Sequence, residues 1–437
     1  MVERPRCAAH MLRTVHLALL VTVVAVPRLC LAQDKPDDPV DTTSGPQAAA
    51  APAPPQDKSG VPAFLTDSIR SAIDKLGTTG QTKRGWYLEA SNMITGSGWL
   101  SLGPGYRKYV FNDKAFADAS GALSWHLYKM AQGRFEAPDL TSHHITLGTQ
   151  AMLQDNTQVH YFGTGPDSLE TDESLYRMRS RDFVGYASFR PASSLTLGGE
   201  FGWLHTPKFS SPTGTFKPSL PTTEELFPTD PGVTPIDQPS YLHGELSASN
   251  DTRDYPGHPT DGGLYRVAMM TYHDQREGTF SFRQYLAEGG QFIPVTGPKW
   301  VIALHGAFIT SDVSDNHEVP IYLLPGLGAS NALRAFPSYR FRDRASLLLN
   351  VESRWTIFHR VDAAIFADVG NVSHDAADLN LDKTSIGAGL RVFTHHTTFA
   401  RMDVAHGSEG WHVTFRTSEP FRFSRVKRHI ADLPFVP

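Results

Sequence analysis

Carboxylates in one short segment of the chain stand at a spacing that could serve acid–base chemistry. Asp251 and Asp254 flank Arg253, and Pro256 and His258 follow. General acid–base catalysis would require these carboxylates to converge on a pocket that shifts their pKa values. Asp and Pro are also turn formers, and a Gly-Gly pair follows before an apolar run. We therefore interpret the segment as a turn that leads into a strand.

Histidines and serines give no further support for catalysis. The adjacent pairs His143–His144 and His395–His396 would point to opposite faces of a strand, so neither pair could chelate one metal from regular β-structure. The sequence contains no HExxH, phosphate-binding glycine loop or GxSxG motif. We predict no catalytic residue, no metal site, no cofactor and no enzymatic activity.

One arginine and two acids form a different constellation. Arg334 lies in a segment rich in glycine, proline and arginine, residues 323–344, which we expect to be free of strands. Glu352 and Asp368 follow on predicted strands with apolar or small neighbours. In a polar lumen these acids could receive charge-assisted, bidentate hydrogen bonds from Arg334. Taken alone, the three residues favour the simpler interpretation of unrelated solvated charges.

The N-terminal residues carry the signature of export. Arg4, Arg6 and Arg13 precede an apolar run at 15–26, and small residues stand before Gln33. This layout predicts a signal peptide over residues 1–32, since a membrane-anchoring helix would need about 17 or more apolar residues. Both cysteines of the chain lie in this segment, so the exported chain would have no disulfide.

Two segments connect the signal peptide to the rest of the chain. Residues 33–62 are rich in proline, alanine and acids, which predicts a disordered linker. Residues 63–83 contain a short amphipathic helix over Phe64–Leu76 and a connector. We prefer a packing helix to a membrane-surface anchor.

Composition indicates many short strands. Of 437 residues, 40% are hydrophobic and 11% aromatic but only 19% are charged, with 36 glycines and 31 prolines. This balance is typical of strands and turns rather than helices. The formal net charge of −5 gives no reason to expect a nucleic-acid partner.

From Arg84 onward, apolar and polar residues alternate. Trp411, Val413 and Phe415 would share one face of a strand, with His412 and Thr414 on the other. A soluble sandwich also alternates, but the second face here is too charged and too rich in glycine for a dry core. Aromatic residues stand near the ends of predicted strands: Trp86, Trp203, Tyr272, Trp300, Trp355 and Trp411.

A polar lumen, an apolar outer band and aromatic girdles are typical of a transmembrane barrel. We therefore predict an all-β fold, a closed antiparallel transmembrane β-barrel of sixteen strands over residues 84–423, with a tail at 424–437. Closure is expected because lipid cannot satisfy an open sheet edge. The last strand should end near Phe421. The longest interruption, from His205 to about Ser240, should be an extracellular loop.

Four ordered segments resemble the BamA/TamA family of outer-membrane barrels, also called the bacterial surface-antigen family. Asp251, Arg253, Asp254 and Pro256 are similar to the family's turn motif. The other three are SNALRAFPSYRFRD at 330–343, FADVGNV at 366–372 and GAGLRVFTHHTTFARMDVAHG at 387–407.

The resemblance implies that Arg334 pairs inside the lumen with Asp368 and Glu352. The role of this pairing would be structural, holding the long loop in one conformation. Ala335 replaces the usual motif glycine, so we expect the backbone there to be less free to adopt a positive φ. Only the linker and the short helix precede the first strand, and we expect the periplasmic repeats of family members to be missing.

The function implied by the resemblance is insertion or export of polypeptides at the outer membrane of a Gram-negative-type bacterium. Client strands would be templated at the seam between the first and last strands. The expected partners are outer-membrane lipid and unfolded outer-membrane or exported polypeptides. The alternative is a passive outer-membrane pore or structural barrel without assembly activity, and an outer-membrane enzyme is disfavoured.

Overall fold

A computed structural model describes residues 84–90, 101–214, 217, 219–234, 238–255, 257–328, 332–358, 360–393, 398–416 and 421. All of them belong to one compact unit, residues 67–437. The predicted signal peptide, linker, amphipathic helix and tail lie outside the described residues, as does Pro256.

Sixteen strands form one antiparallel sheet in which each strand pairs with its sequence neighbours. They are β1 (Gly85–Ala90), β2 (Ser101–Val110), β3 (Ala115–Ser124), β4 (Lys129–Asp139), β5 (Ile145–Tyr161), β6 (Ser174–Phe189), β7 (Leu195–Ser210), β8 (Tyr241–Asp251), β9 (Gly262–Asp274), β10 (Phe282–Pro294), β11 (Trp300–Asp312), β14 (Ala345–Phe358), β15 (Val361–Ser373), β16 (Lys383–Phe393), β17 (Thr398–Gly407) and β18 (Gly410–Arg416).

The loop between β11 and β14 contains two further short strands, β12 (Gly326–Leu327) and β13 (Phe341–Arg342), which pair with each other. The expectation that residues 323–344 hold no strand was therefore wrong at these four positions. Two short helices, α1 (Leu140–His143) and α2 (Thr223–Leu226), lie in other connections. No helix among the described residues is long and apolar enough to cross a membrane.

The two faces of the sheet have opposite chemistry. On β18, the side chains of Trp411 and Val413 are 73% and 64% exposed, whereas Thr414 is buried. Exposed apolar side chains alternate in this way with buried polar ones along most of the sheet. Such a face is stable against hydrocarbon, so the apolar face is the lipid-facing one. Tyr272 is 7% exposed and points to the opposite, lumenal face, so its assignment to an aromatic girdle was wrong.

A contact between β17 and the distant β8–β9 turn indicates that the sheet curls around its polar face. Thr398 on β17 donates a hydrogen bond of 3.3 Å to the carbonyl of Gly257, in the turn between β8 and β9. Six strand spacings separate β9 from β17, about 29 Å in a flat sheet. The predicted sixteen-stranded antiparallel barrel is confirmed. Within the described residues, no hydrogen-bonded register joins β1 to β18.

The connections define the two sides of the membrane. At one end, where β8 leads into β9, the turns are two to ten residues long. The other end carries the long loops 162–173, 211–240 and 313–344. Short turns are periplasmic and long loops extracellular in such barrels.

Two predicted boundaries need correction. The long interruption begins after Ser210 rather than at His205, because β7 continues and packs Leu204 and Phe209 into the lumen. The last described strand ends at Arg416. Phe421 is not a strand residue; it is buried among lumenal side chains of β9 to β11.

The lipid-facing assignment predicts an asymmetry between two equally exposed positions. Ile365 on β15 is 55% exposed and Leu169 in an extracellular loop is 59% exposed. We expect Ile365→Arg to lower the free energy of unfolding by about 2–4 kcal/mol, because the new charge faces hydrocarbon. Leu169→Arg, the matched control, should change it little. Urea titration of vesicle-inserted protein measures both, and equal effects would contradict the assignment.

Candidate functional site

The lumenal charge cluster is organised around Arg334. Its Nη2 donates to Asp368 Oδ1 at 2.7 Å, its Nε to Asp368 Oδ2 at 3.0 Å, and its Nη1 to Glu352 Oε2 at 2.5 Å. The backbone N–H of Arg334 also donates to Asp368 at 3.2 Å. The guanidinium lies 3.3 Å from the centroid of the Phe366 ring. The structure thus brings together the three residues predicted from the sequence, with Arg334 only 1% exposed.

A second arginine shares the same carboxylate. Arg391 donates to Glu352 through Nε at 3.1 Å and Nη2 at 2.8 Å. Arg391 also pairs with Asp403 at 2.7 Å, and Arg401 lies 3.4 Å from the same Asp403. Three arginines and three carboxylates therefore balance in charge, and all six are almost fully buried. Because each buried charge has an opposite partner, the desolvation cost is offset within the cluster.

Strand register places these charges on one face. Glu352 on β14 and Asp368 on β15 point into the lumen by period-2 alternation. Gly389 on β16 leaves room for the ion pair between Arg391 and Asp403. A Cβ at position 389 would lie 2.2 Å from Asp403 Oδ1 and 2.5 Å from Arg391 Nη1. A glycine at position 389 is therefore a steric requirement of the charge cluster.

The loop that carries Arg334 is fixed by neutral contacts as well. The backbone N–H of Ala335 donates to Ser385 Oγ at 3.0 Å, and Asn350 Nδ2 donates to the Ala332 carbonyl at 3.1 Å. Leu333 and Phe336 are fully buried beside the cluster. The backbone of Ala335 does not adopt a positive φ. An alanine is therefore compatible with the motif position that a glycine usually occupies.

The predicted turn residues form a compact turn. Arg253 donates to Asp251 through Nε at 2.9 Å and Nη2 at 3.1 Å. Asp254 accepts hydrogen bonds from the backbone N–H groups of Tyr255 and Thr260, at 2.8 and 2.9 Å. Burial alone would raise the pKa of Asp254, but these bonds and one from the Thr260 hydroxyl hold it below the ordinary value. These bonds hold both acids in the fold of the turn.

This turn reaches across the periplasmic mouth of the barrel. The His258 ring stacks on Phe393 with centroids 3.6 Å apart, and its Nε2 lies 3.2 Å from Asp362 Oδ2. Arg354 on β14 donates to the Pro259 carbonyl at 2.7 Å. The turn thus bridges lumenal positions on β14, β15 and β16.

Comparison with known proteins agrees with this geometry. The Omp85 superfamily domain matches residues 128–406, more than half of the chain. This chain belongs to the Omp85 superfamily. The resemblance to BamA/TamA-type barrels is therefore confirmed, and the chain is a bacterial outer-membrane protein of a superfamily that inserts or secretes polypeptides.

Solved structures share the fold at low sequence identity. BamA from Haemophilus ducreyi lacking POTRA domains 1–3 aligns with a TM-score of 0.56 and 14% identity, over 83% of this chain and 79% of that chain. CdiB from Escherichia coli aligns with a TM-score of 0.50 and 10% identity, over 77% of this chain and 63% of that chain. This Omp85 chain thus spans less than two thirds of CdiB. No curated protein sequence matches it.

The extracellular mouth of this Omp85 barrel is closed by its own loops. Arg340 connects two of them, donating to the Ser168 carbonyl at 2.7 Å and to Glu409 Oε1 at 2.8 Å. The Ile321 N–H donates to the Pro231 carbonyl at 3.0 Å. Beneath these bonds lies a buried hydrophobic cluster from loops and strand ends, including Tyr161, Phe209, Val233, Tyr241 and Ile321.

An ion pair tethers loop 211–240 to Glu173, the last residue of loop 162–173 before β6. Lys217 Nζ donates to Glu173 Oε1 at 2.8 Å, and His160 Nδ1 lies 2.7 Å from the same oxygen. Burial of Glu173 opposes its ionisation, but the bonds and charges of His160 and Lys217 prevail and lower its pKa to about 2. The Glu173 carboxylate therefore stays ionised at physiological pH.

Sequence reasoning missed half of the charged cluster. Arg391, Arg401 and Asp403 were quoted only as parts of a strand motif. A usable signal existed, because Arg401 and Asp403 are two residues apart and so share one face of a strand. Their proximity to Glu352 depends on the register of β14 to β17, which local patterns do not give.

The geometry predicts a stabilising role for Arg334. Arg334→Ala leaves Asp368 without its guanidinium, and breaking a buried pair in this way costs about 3–5 kcal/mol. We expect the temperature at which the protein loses its fast-migrating, heat-modifiable gel form to fall. This temperature should fall less for Arg334→Lys, because lysine retains the positive charge but cannot form the bidentate hydrogen bonds of a guanidinium group.

Arg344→Ala provides the control for this prediction. Arg344 lies in the same loop, is only partly buried, and stands outside the charge cluster. Its substitution should leave the gel profile unchanged. A wild-type profile for Arg334→Ala would remove the proposed structural role.

Proposed function

We propose that this Omp85 protein inserts or exports polypeptides by pairing a client strand with the edges of β1 and β18. The observation that carries the proposal is the state of these two strands. Within the described residues, β1 pairs only with β2 and β18 only with β17. They are also the shortest described strands of the large sheet, with six and seven residues. An unpaired edge offers backbone donors and acceptors to an incoming strand by β-augmentation.

Because segments of the chain occupy both mouths, we favour a client route between β1 and β18 into the lipid over a route along the barrel axis. Loops fill the extracellular end, and the β8–β9 turn with Phe421 occupies the periplasmic end. A folding client that needs lipid on one side of each strand gains nothing from a route through a polar, charge-filled lumen. The seam offers both a backbone edge and direct access to hydrocarbon.

The sheet is irregular close to the seam, in the ladder between β2 and β3. Pro104 in β2 lacks an N–H, and the β2–β3 register omits Gly103 and Pro104. A Cβ at Gly103 would lie 1.7 Å from the Gly121 carbonyl oxygen, so the backbones of β2 and β3 approach closely there. The β2–β3 ladder thus has fewer hydrogen bonds than a regular one, whereas β1 pairs with β2 at all six of its residues. We also propose that the chain acts without enzymatic chemistry.

Site-specific photocrosslinking tests the seam. A crosslinker at Leu88 on β1 or Val413 on β18 should capture nascent outer-membrane polypeptides during their assembly. The control position is Ile365, which is exposed to lipid on β15 but distant from the seam in strand order. Capture that is equal at all three positions, or absent at the first two, would overturn the proposal.

The second candidate is a passive pore, which the polar lumen favours. A pore should conduct steadily in planar bilayers. The seam proposal instead expects little steady conductance, because both mouths are occupied by hydrogen-bonded segments. Steady wild-type conductance, together with normal outer-membrane protein assembly after deletion of the gene, would support the pore.

A further inference from the structure

The lipid-facing side of the barrel carries an unusual run of arginines on β6. Arg177, Arg179 and Arg181 stand two residues apart and therefore share one face of the strand. Phe183 continues the same row and is 56% exposed, which identifies the face as the lipid-facing one. Arg179 and Arg181 are exposed beside it.

Neighbouring strands extend this row into a basic patch, defined here as Lys129, Asp155, Arg177, Arg179, Arg181 and His205. Register pairs Lys129 with Asp155, Asp155 with Arg179, and Arg181 with His205. Side chains and backbone of these strands line a groove of about 370 Å³.

Most of the positive charge of the basic patch is uncompensated. Arg177 binds Asp155 in a bidentate pair, with Nε and Nη2 each 2.7 Å from a carboxylate oxygen. Asp155 is the single carboxylate of the patch, and this pair engages both of its oxygens. Lys129, Arg179 and Arg181 then leave a formal excess of three positive charges, without counting His205.

The depth of the patch matches the extracellular membrane boundary. Nine residues separate Arg181 from Arg190 at the periplasmic end of β6, about 30 Å along a strand. A strand tilt of about 40° projects this length onto about 23 Å, close to the apolar band of about 25 Å in such barrels. Arg181 therefore lies where lipid headgroups begin, and Phe183 where acyl chains begin.

Another lipid-facing arginine at the same end shows the contrast. Arg283 on β10 is exposed, but register places Asp312 of β11 directly opposite it. The basic patch has no such arrangement for Arg181, whose neighbours in register are Leu153 and His205. The patch therefore offers charge to an external anion, whereas Arg283 has an acid beside it.

We propose that the basic patch binds the phosphorylated headgroup of a multiply acylated lipid of the outer leaflet. Guanidinium groups bind phosphate oxygens in bidentate fashion, so Arg179 and Arg181 hold one phosphate, and Lys129 contributes a point charge. Acyl chains lie against the exposed side chains of Phe183 and Trp203, one row below Arg181 toward the periplasm, and of Leu153 beside Arg181. This apolar floor commits the site to a lipid, since a free phosphate would use only the charged rim.

The test titrates diphosphoryl lipid A into the detergent-solubilised full-length chain freed of bound lipopolysaccharide. We expect the double variant Arg179→Gln/Arg181→Gln to raise the Kd at least about tenfold, because charge-assisted hydrogen bonds are lost. The control Arg283→Gln should bind like the wild type. Heat-modifiable gel mobility checks that each variant is folded.

A variant that is expected to bind lipid A more tightly separates the proposed site from an effect of misfolding. Asp155→Asn removes the one carboxylate of the patch and releases Arg177, so it should tighten lipid A binding by about threefold. Misfolding cannot produce such a gain. Unchanged or weaker binding by folded Asp155→Asn would count against the site.

Two competitors distinguish a lipid from a free anion. Millimolar inorganic phosphate should displace little lipid A, and dephosphorylated lipid A should bind at least about tenfold more weakly than the diphosphoryl form. Full displacement by phosphate would overturn the lipid assignment. Equal binding of lipid A to the wild type and to Arg179→Gln/Arg181→Gln would overturn the site itself.

Discussion

A backbone N–H or C=O group that faces hydrocarbon cannot exchange its partner for water, and the rest of this structure depends on that constraint. The antiparallel ladder satisfies these groups from β1 to β18, and alternation then sends every second side chain into the enclosed face. The enclosed face cannot be apolar throughout without becoming a second lipid-facing surface. Polar and charged side chains consequently collect inside, where they must satisfy one another.

The Arg334 cluster meets this requirement within a small volume. Three guanidinium and three carboxylate groups alternate between a loop and four strands, so removing any one leaves a buried charge unbalanced. The same interactions immobilise the long loop, which in turn covers the extracellular mouth through Arg340. Internal charge balance and coverage of the extracellular mouth are thus two results of one set of contacts.

Local sequence patterns predicted the features that depend only on residues close together in the chain. Period-2 alternation identified the lipid-facing residues Trp411 and Val413, but it misplaced Tyr272, whose side chain packs into the lumenal cluster. Arg334, Glu352 and Asp368 could be grouped only through resemblance, because their spacing alone favoured unrelated charges. Arg391 and Asp403 were missed since their partners depend on register across four strands. The reach of His258 to Asp362 depends on curvature, which no local pattern encodes.

The sequence separation of the contacts at the two mouths has a consequence for folding kinetics. Arg334 reaches partners 18 and 34 residues away, whereas Thr398 and Gly257 are 141 residues apart, and Arg340 and Ser168 are 172 apart. Contacts of high sequence separation carry the largest loop-closure entropy and form slowly. The charge cluster can therefore assemble when only part of the sheet has paired. The contacts at both mouths can form only after the sheet has curled. Protection of the mouth hydrogen bonds against exchange would then report the slowest step of barrel formation.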